Sequence, residues 1–427
     1  MRIFFEEEAF ALPAVRHSSS ARAQPEGMQQ KKGAVKTVTP TPAPEPKKQV
    51  NHDATLLVSR GPASMMPLLD QDGELACATS LARTGEASFL GQALSDGLFL
   101  YINRINSREG GIGGAIPISL DQRDDESRLR TGAKNILSIK KSTPLVISPL
   151  SDGLLEQVLT PLVKKDEIAC IFPVAGVRPR VVPGNLIYMR ASYTDELHAL
   201  VHYALNELKK DKIALFYEDG VWGQASYNAL KRIMAFYKKE LCVAASYQSG
   251  TVTIIPALKK IAHAQPQVVI CVANGRPAYN FIREAVNQKM HNVSFLGISR
   301  LSGIQELLRK ARGIGFTTSS VVPNPRTSTL PIVKKYREDM GYYLPNKGLT
   351  TYGLEGYINA SLLAHVVKDL APSATIGALL KELTSIDELH FGGLSLSYRN
   401  GGLCHSVWIN DGPQTVWKSY QVGSGRR

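Results

Sequence analysis

The hydrophobic pattern changes period repeatedly along this chain, and the alternation is regular. Leu90, Leu94, Leu98, Tyr101 and Ile105 recur at helical spacing and predict a long amphipathic helix from about Ser88 to Ile105. A glycine cluster, Gly110, Gly111, Gly113 and Gly114, stops that helix and forces a tight turn. Short apolar runs at 75–79, 116–120, 145–147, 168–172, 213–217, 268–272, 293–298 and 316–322 read as strands. Helical patterns at 154–163, 195–208, 227–237, 255–262, 278–288 and 353–370 lie between them. Strands alternating with helices over short connections predict parallel, doubly wound sheets covered by helices. So many strands over this length suit two sheets better than one. The carboxy-terminal stretch differs: 394–398 and 407–409, separated by Asn400-Gly401-Gly402, read as a hairpin-like pair.

The first 50 residues break the pattern. They are polar and end in Thr39-Pro40-Thr41-Pro42-Ala43-Pro44-Glu45-Pro46, which favours an extended spacer with no core of its own. Residues 51–72 read as a transition, and the folded body is expected to start near Gly73. The chain of 427 residues carries a net charge of +13, with 44% hydrophobic and 20% charged residues. Its lysines and arginines are scattered along the predicted helices, as at Lys209, Lys210, Lys231, Arg232, Lys238 and Lys239. That distribution suits a solvated basic surface, and no nucleic-acid recognition motif accompanies it. No apolar run reaches the length of a membrane span. Cys77, Cys170, Cys242, Cys271 and Cys404 form no CxxC or Cys/His zinc pattern, and Cys77, Cys170 and Cys271 sit in apolar runs as small core residues.

The order of parts in TGEASFLGQALSDGLFLYINRINSREGGIGGAIPISLDQRDDE, residues 85–126, resembles the first βαβ unit of type I periplasmic solute-binding proteins. The branch it is most similar to is the branched-chain amino-acid-binding receptors of ABC importers. NLIYMRASYTDELHALVHYAL, KIALFYEDGVWGQASYNALKRI and TYGLEGYINASLLAHVV extend the resemblance over most of 73–420. It implies two Rossmann-like α/β lobes joined by crossover strands. Lobe 1 would hold 73–192 and 321–388, and lobe 2 would hold 193–320 and 389–420, after an unstructured extension over 1–72. It also implies an ABC permease as membrane partner and a periplasmic location. The leader such export requires is not evident: 1–15 is short and interrupted by Glu6, Glu7 and Glu8, and the apolar core before Ala21-Arg22-Ala23 is missing. The alternatives are a different start, an unusual export route, or a protein retained in the cytoplasm.

Open α/β sheets bind ligands beyond the carboxyl ends of their strands. That rule and the resemblance select the same loops and the ligand-binding set Ser151, Ala175, Gly176, Asp195, Trp222, Asn274 and Ser299. Ser151 precedes a helix start and suits either a ligand carboxylate or a simple N-cap. Ala175 and Gly176 offer only backbone groups where relatives carry Ser or Thr. Asp195 matches the acid that holds the ligand's amino group, or else favours the first turn of its helix. Trp222, between a strand and a helix, matches an aromatic covering the ligand. Asn274 and Ser299 fall where some amino-acid binders have an aromatic and an acid. Tyr193 could line the cleft or pack at the hinge, and Glu355 is as good a structural acid as a contact. Arg123, Asp124, Asp125 and Glu126 come from one short segment without a His partner, which favours capping and turn roles over acid–base chemistry.

Three functions were weighed. The leading one is a receptor that closes two lobes over a small polar solute, an amino acid or similar. The second is a ligand sensor of the same fold. The third, an enzyme, finds no mark: Gly110-Gly111-Ile112-Gly113-Gly114 follows a helix and is not GxGxxG, and GxxxxGK[ST], HExxH and GxSxG are absent. No catalytic residue, metal ligand or cofactor is assigned.

Overall fold

Strands buried on both faces form the centre of each half of the molecule. The structure is a computed structural model that describes residues 61–421. The first sheet contains β1 (Leu75–Leu81), β2 (Ile118–Asp124), β3 (Leu145–Ile147), β4 (Ala169–Ile171) and β5 (Leu186–Ile187), all parallel, in the order β2-β1-β3-β4-β5. Between them run α1 (Ser88–Glu109), α2 (Leu129–Ile139), α3 (Asp152–Leu154) and α4 (Thr160–Lys164). A π-helical stretch, Leu155–Leu159, joins α3 to α4. Gly110 ends α1 in the left-handed conformation at φ 70°, where glycine has no Cβ penalty.

The second half begins with α5 (Tyr193–His202), followed by β6 (Ile213–Asp219), α6 (Val221–Phe236), β7 (Val243–Gln248), α7 (Ile255–Ala264), β8 (Val268–Val272), α8 (Gly275–Asn287), β9 (Ser294–Gly297), α9 (Ser302–Arg312) and β10 (Thr317–Ser320). Three helices then follow: α10 (Pro331–Tyr343), α11 (Thr351–Val367) and α12 (Ile376–Thr384). Of these, α11 packs directly on α1, because Gly97 and Gly353 let the backbones touch. The chain ends in a ribbon, β11 (Leu389–Phe391) against β12 (Leu394–Leu396), then β13 (Ser406–Asn410) and β14 (Lys418–Gln421). The second sheet has the order β14-β13-β10-β9-β8-β6-β7, with β13 and β14 antiparallel at one edge. Both sheets thus repeat one winding, in which the second strand sits outside the first and the third lies on its other side. The mixed α/β architecture of two lobes is the one expected.

Two expectations need correction. The runs at 394–398 and 407–409 do not pair with each other. Residues Gly401, Leu403 and Cys404 instead bond to the chain at Tyr188 and Met189, with Tyr188 N donating to Gly401 O at 2.8 Å and Cys404 N to Met189 O at 2.9 Å. A short hairpin does close at Asn400-Gly401, with Ser397 N donating to Leu403 O at 2.9 Å and Arg399 and Gly402 exchanging both backbone bonds, but it ends there, and β13 joins β10 and β14 instead. The packed body also begins before Gly73. Ala63 and Leu68 are buried, and Pro67 bridges Thr375. The proline-rich segment lies outside the described residues. All five cysteines are free thiols, with Cys242 alone exposed.

Candidate ligand-binding cleft

In each sheet the winding reverses direction beside its first strand, between β1 and β3 and between β6 and β8. Chain connections leave opposite faces there and open a crevice at the strands' carboxyl ends. The loops at these two crevices meet. Ser151 and Asp152 follow β3, Trp222 follows β6, Asn274 follows β8, and Ser299 and Arg300 follow β9.

Asp152 and Arg300 form the central contact. Arg300 Nη1 lies 3.2 Å from Asp152 Oδ2, which also accepts the Tyr193 hydroxyl at 2.9 Å. The other carboxylate oxygen accepts the Gly176 amide at 3.1 Å. Arg300 Nε donates to Asn274 Oδ1 at 3.1 Å, and its guanidinium carbon sits 5.7 Å from the Trp222 ring centroid. Trp222 in turn lies 6.0 Å from the Tyr193 ring. Burial works against the Arg300 charge, but Tyr193 and Asp152 outweigh it and hold the guanidinium pKa above its ordinary value. Asn274 is itself fixed, since its Nδ2 donates to Glu218 Oε2 at 2.7 Å.

Behind this pair lies a buried charge cluster. Arg190 stands between Glu196 at 3.7 Å and Glu355 at 3.6 Å. Glu196 accepts the Ser299 amide at 2.6 Å, the Ser299 hydroxyl at 3.0 Å and the Ser319 hydroxyl at 2.6 Å. Burial pushes both carboxyl pKa values up, and Arg190 opposes it. Removing one partner from such a group would leave an uncompensated buried charge, so the cluster is held as a unit.

The predicted residues divide into those the cleft brings together and those with other tasks. Trp222 and Asn274 meet at Arg300. Ser151 caps α3, accepting the Leu154 amide at 3.2 Å, and borders the cleft. Ala175 is buried, and Gly176 touches both Asp152 and the Tyr193 ring. Ser299 is bound to Glu196 and Arg190. Asp195 takes part in a capping box with Ser192, accepting its amide at 2.9 Å and hydroxyl at 2.7 Å. Its carboxylate borders a different cavity, beside Arg178. Asp124 holds a turn, accepting the Thr84 hydroxyl at 2.7 Å and the Glu126 amide at 2.8 Å. Arg300 is not among the residues that the sequence pattern singles out; its one signal is a place in the loop after the apolar run 293–298, next to Ser299.

The space left beside Ser151 and Arg300 is about 90 Å³, and a second hole between Arg190, Tyr352 and Glu355 is about 10 Å³. The first is room for roughly three waters at the ~30 Å³ each occupies in the liquid. The Asp152–Arg300 contact, with the Tyr193 hydroxyl on the same carboxylate oxygen, occupies the crevice where the loops meet. Among the described residues no group of His, Cys, Asp or Glu could hold a metal ion. No helix among them is long and apolar enough to cross a membrane.

A family model described as periplasmic binding protein matches residues 78–409. Solved structures of the same fold include a possible leucine/isoleucine/valine-binding protein from Rhodopirellula baltica, 20% identical, covering 84% of this chain and 98% of its own, with a TM-score of 0.72. The branched-chain amino acid transporter substrate binding protein of Streptococcus pneumoniae, in complex with isoleucine, is 15% identical and covers 81% of this chain and 99% of its own at a TM-score of 0.67. A solute binding protein of an ABC transporter from R. palustris, in complex with benzoate, is 17% identical and covers 82% and 96% at a TM-score of 0.67. No curated protein matches the sequence.

Proposed function

The chain belongs to the periplasmic binding protein family, and from that premise we propose that it is the solute-binding receptor of an ABC importer for a small carboxylate, an amino acid or a close analogue. The Asp152–Arg300 pair carries this reading. It bridges loops of the two sheets at the crevice where open α/β folds take ligands. Each member presents a charge that a zwitterion complements. The solute carboxylate replaces Asp152 on Arg300, and an amino group takes Asp152. Arginine suits this exchange because its planar fork matches a carboxylate bidentately. Trp222 forms the wall against which the solute's side chain rests. The solved structures with isoleucine and with benzoate both hold carboxylates, which supports the shared chemistry.

The role expected of Asp195 passes to Asp152 in this scheme. Lobe 1 is taken as 73–192 with 321–388 and lobe 2 as 193–320 with 389–420, crossing near Ser192, Val321 and the start of β11. Closure presents a joint surface to a membrane permease at the periplasmic face, and the solute is released unchanged.

Small molecules released from the purified protein by denaturation, identified by mass spectrometry, name the solute. Calorimetric titration with that solute should show Arg300→Ala weakening binding ten- to a hundredfold, the loss of about 1.5–3 kcal/mol for a charge-assisted hydrogen bond. Undiminished affinity in Arg300→Ala would refute the reading.

A further inference from the structure

A second cavity, of about 650 Å³, lies beyond Tyr193. The Tyr193 ring lines it, while the Tyr193 hydroxyl points to Asp152 in the cleft. None of Asp152, Trp222, Asn274, Ser299 or Arg300 borders it. Its walls come from the loop after β4, the first turn of α5, one face of α6 and the loop between β12 and β13. Four arginines converge on it, Arg178, Arg180, Arg232 and Arg399, against the single carboxylate of Asp195.

Arg178 is the inner residue of the four. Its Nη2 donates to Arg190 O at 2.7 Å, and its Nε is buried with no partner among the described residues. Burial pushes its pKa down, and Asp195 only partly offsets this. Arg180, Arg232 and Arg399 are exposed and make no ion pair among the described residues. The Asp195 carboxylate is already held by Ser192. Like charges gathered without counter-charges repel one another, and a multiply charged anion relieves that repulsion. A cavity of this size falls in the range of roughly 300–1,000 Å³ typical of small-molecule sites.

We propose that this cavity is a second ligand site, separate from the solute cleft, for a small anion carrying two or more negative charges on carboxylate or phosphate oxygens. Arg178 supplies the buried donor, and the three exposed arginines close over the anion as positive charges. Because the walls include α5 and α6 as well as the loop after β4, a bound anion ties segments from the two halves together.

The test is calorimetric titration of the full chain with citrate and, separately, with pyrophosphate, at constant ionic strength. Citrate binding alone identifies a polycarboxylate site, and pyrophosphate binding alone a phosphate site. Saturable one-to-one binding of either is expected. The doubly substituted Arg232→Ala, Arg399→Ala protein should bind at least tenfold more weakly, and the corresponding double lysine variant should stay within a few fold of the parent. Arg300→Ala removes no residue of this cavity and should lose at most a few fold, through the easing apart of the two halves. The proposal is overturned if neither anion saturates, if the double alanine variant keeps its affinity, or if Arg300→Ala loses as much as the double variant. The last result would place the anion in the solute cleft.

Discussion

Gly176 has no room for a side chain. An added Cβ would lie 2.1 Å from Cδ1 of Tyr193, whose hydroxyl holds Asp152. Gly176→Ala must push the ring aside, and overpacking of this kind costs roughly 1–3 kcal/mol. Urea denaturation should show that loss, and solute titration should show weaker binding because Asp152 is no longer positioned. Asp195→Asn makes the opposite forecast. Asparagine keeps a capping oxygen, so solute affinity should stay within twofold; a tenfold loss in titration would return Asp195 to the solute cleft. Asp125 gives a pH signature. Burial, with Asp124 nearby, raises its pKa from 3.8 to about 6. A carboxyl raised in this way favours the fold while protonated, and the contribution is lost as pH rises from about 4 through 6. Asp125→Asn should therefore gain stability relative to the parent across that window, levelling at roughly 2–3 kcal/mol above pH 7. Denaturation of both proteins at pH 4 and pH 7.5 checks this; a constant difference would contradict it.

At the scale of elements, α1 and α11 pack backbone against backbone. A Cβ at Gly97 would lie 1.9 Å from the Gly353 carbonyl oxygen, and one at Gly356 would lie 2.5 Å from that of Leu94. From Tyr352 to Ala364 every residue of α11 is buried, the mark of a helix enclosed on all sides. Two effects compete in Gly97→Ala. Helix propensity favours alanine by about 1 kcal/mol. The collision is with backbone, which cannot rotate away, and parting the helices would disturb packing along both. The collision should win, with a net loss of about 1–2 kcal/mol after offsetting the propensity gain. The urea midpoint of Gly97→Ala measures the balance, and a rise would mean that the helices separate cheaply.

At the scale of the molecule, the two halves share a cleft bridged by Asp152 and Arg300. In the proposed division into lobes, the pairing of residues 401–404 with Tyr188 and Met189 lies beside the crossing at Ser192. A bridge that lies across the cleft should bias the ligand-free protein toward closure, since it is the protein's own substitute for solute. Small-angle scattering of ligand-free Arg300→Ala should accordingly show a larger radius of gyration than the parent. An equal radius would mean that the pair does not set the opening.

The sequence determined the alternation of strands and helices and the two parallel sheets, whereas α2, α9, α10 and α12 were not legible in it. The apolar runs 145–147 and 268–272 are strands to the residue, because a strand buried on both faces must be continuously apolar and its length is then visible. It also determined which loops face the cleft, since the carboxyl ends of parallel strands fix them. Short or half-buried strands escaped: β5 is two residues long, and β7 is an edge strand with a mixed burial pattern. The partners of individual side chains were decided by tertiary structure. Ser299 and Asp195 sit on the expected elements, yet one bonds to Glu196 and the other to Ser192. Arg300 meets Asp152 across 148 positions of chain. Such contacts depend on how two separately wound sheets are set against each other, and no local period in the sequence encodes that placement.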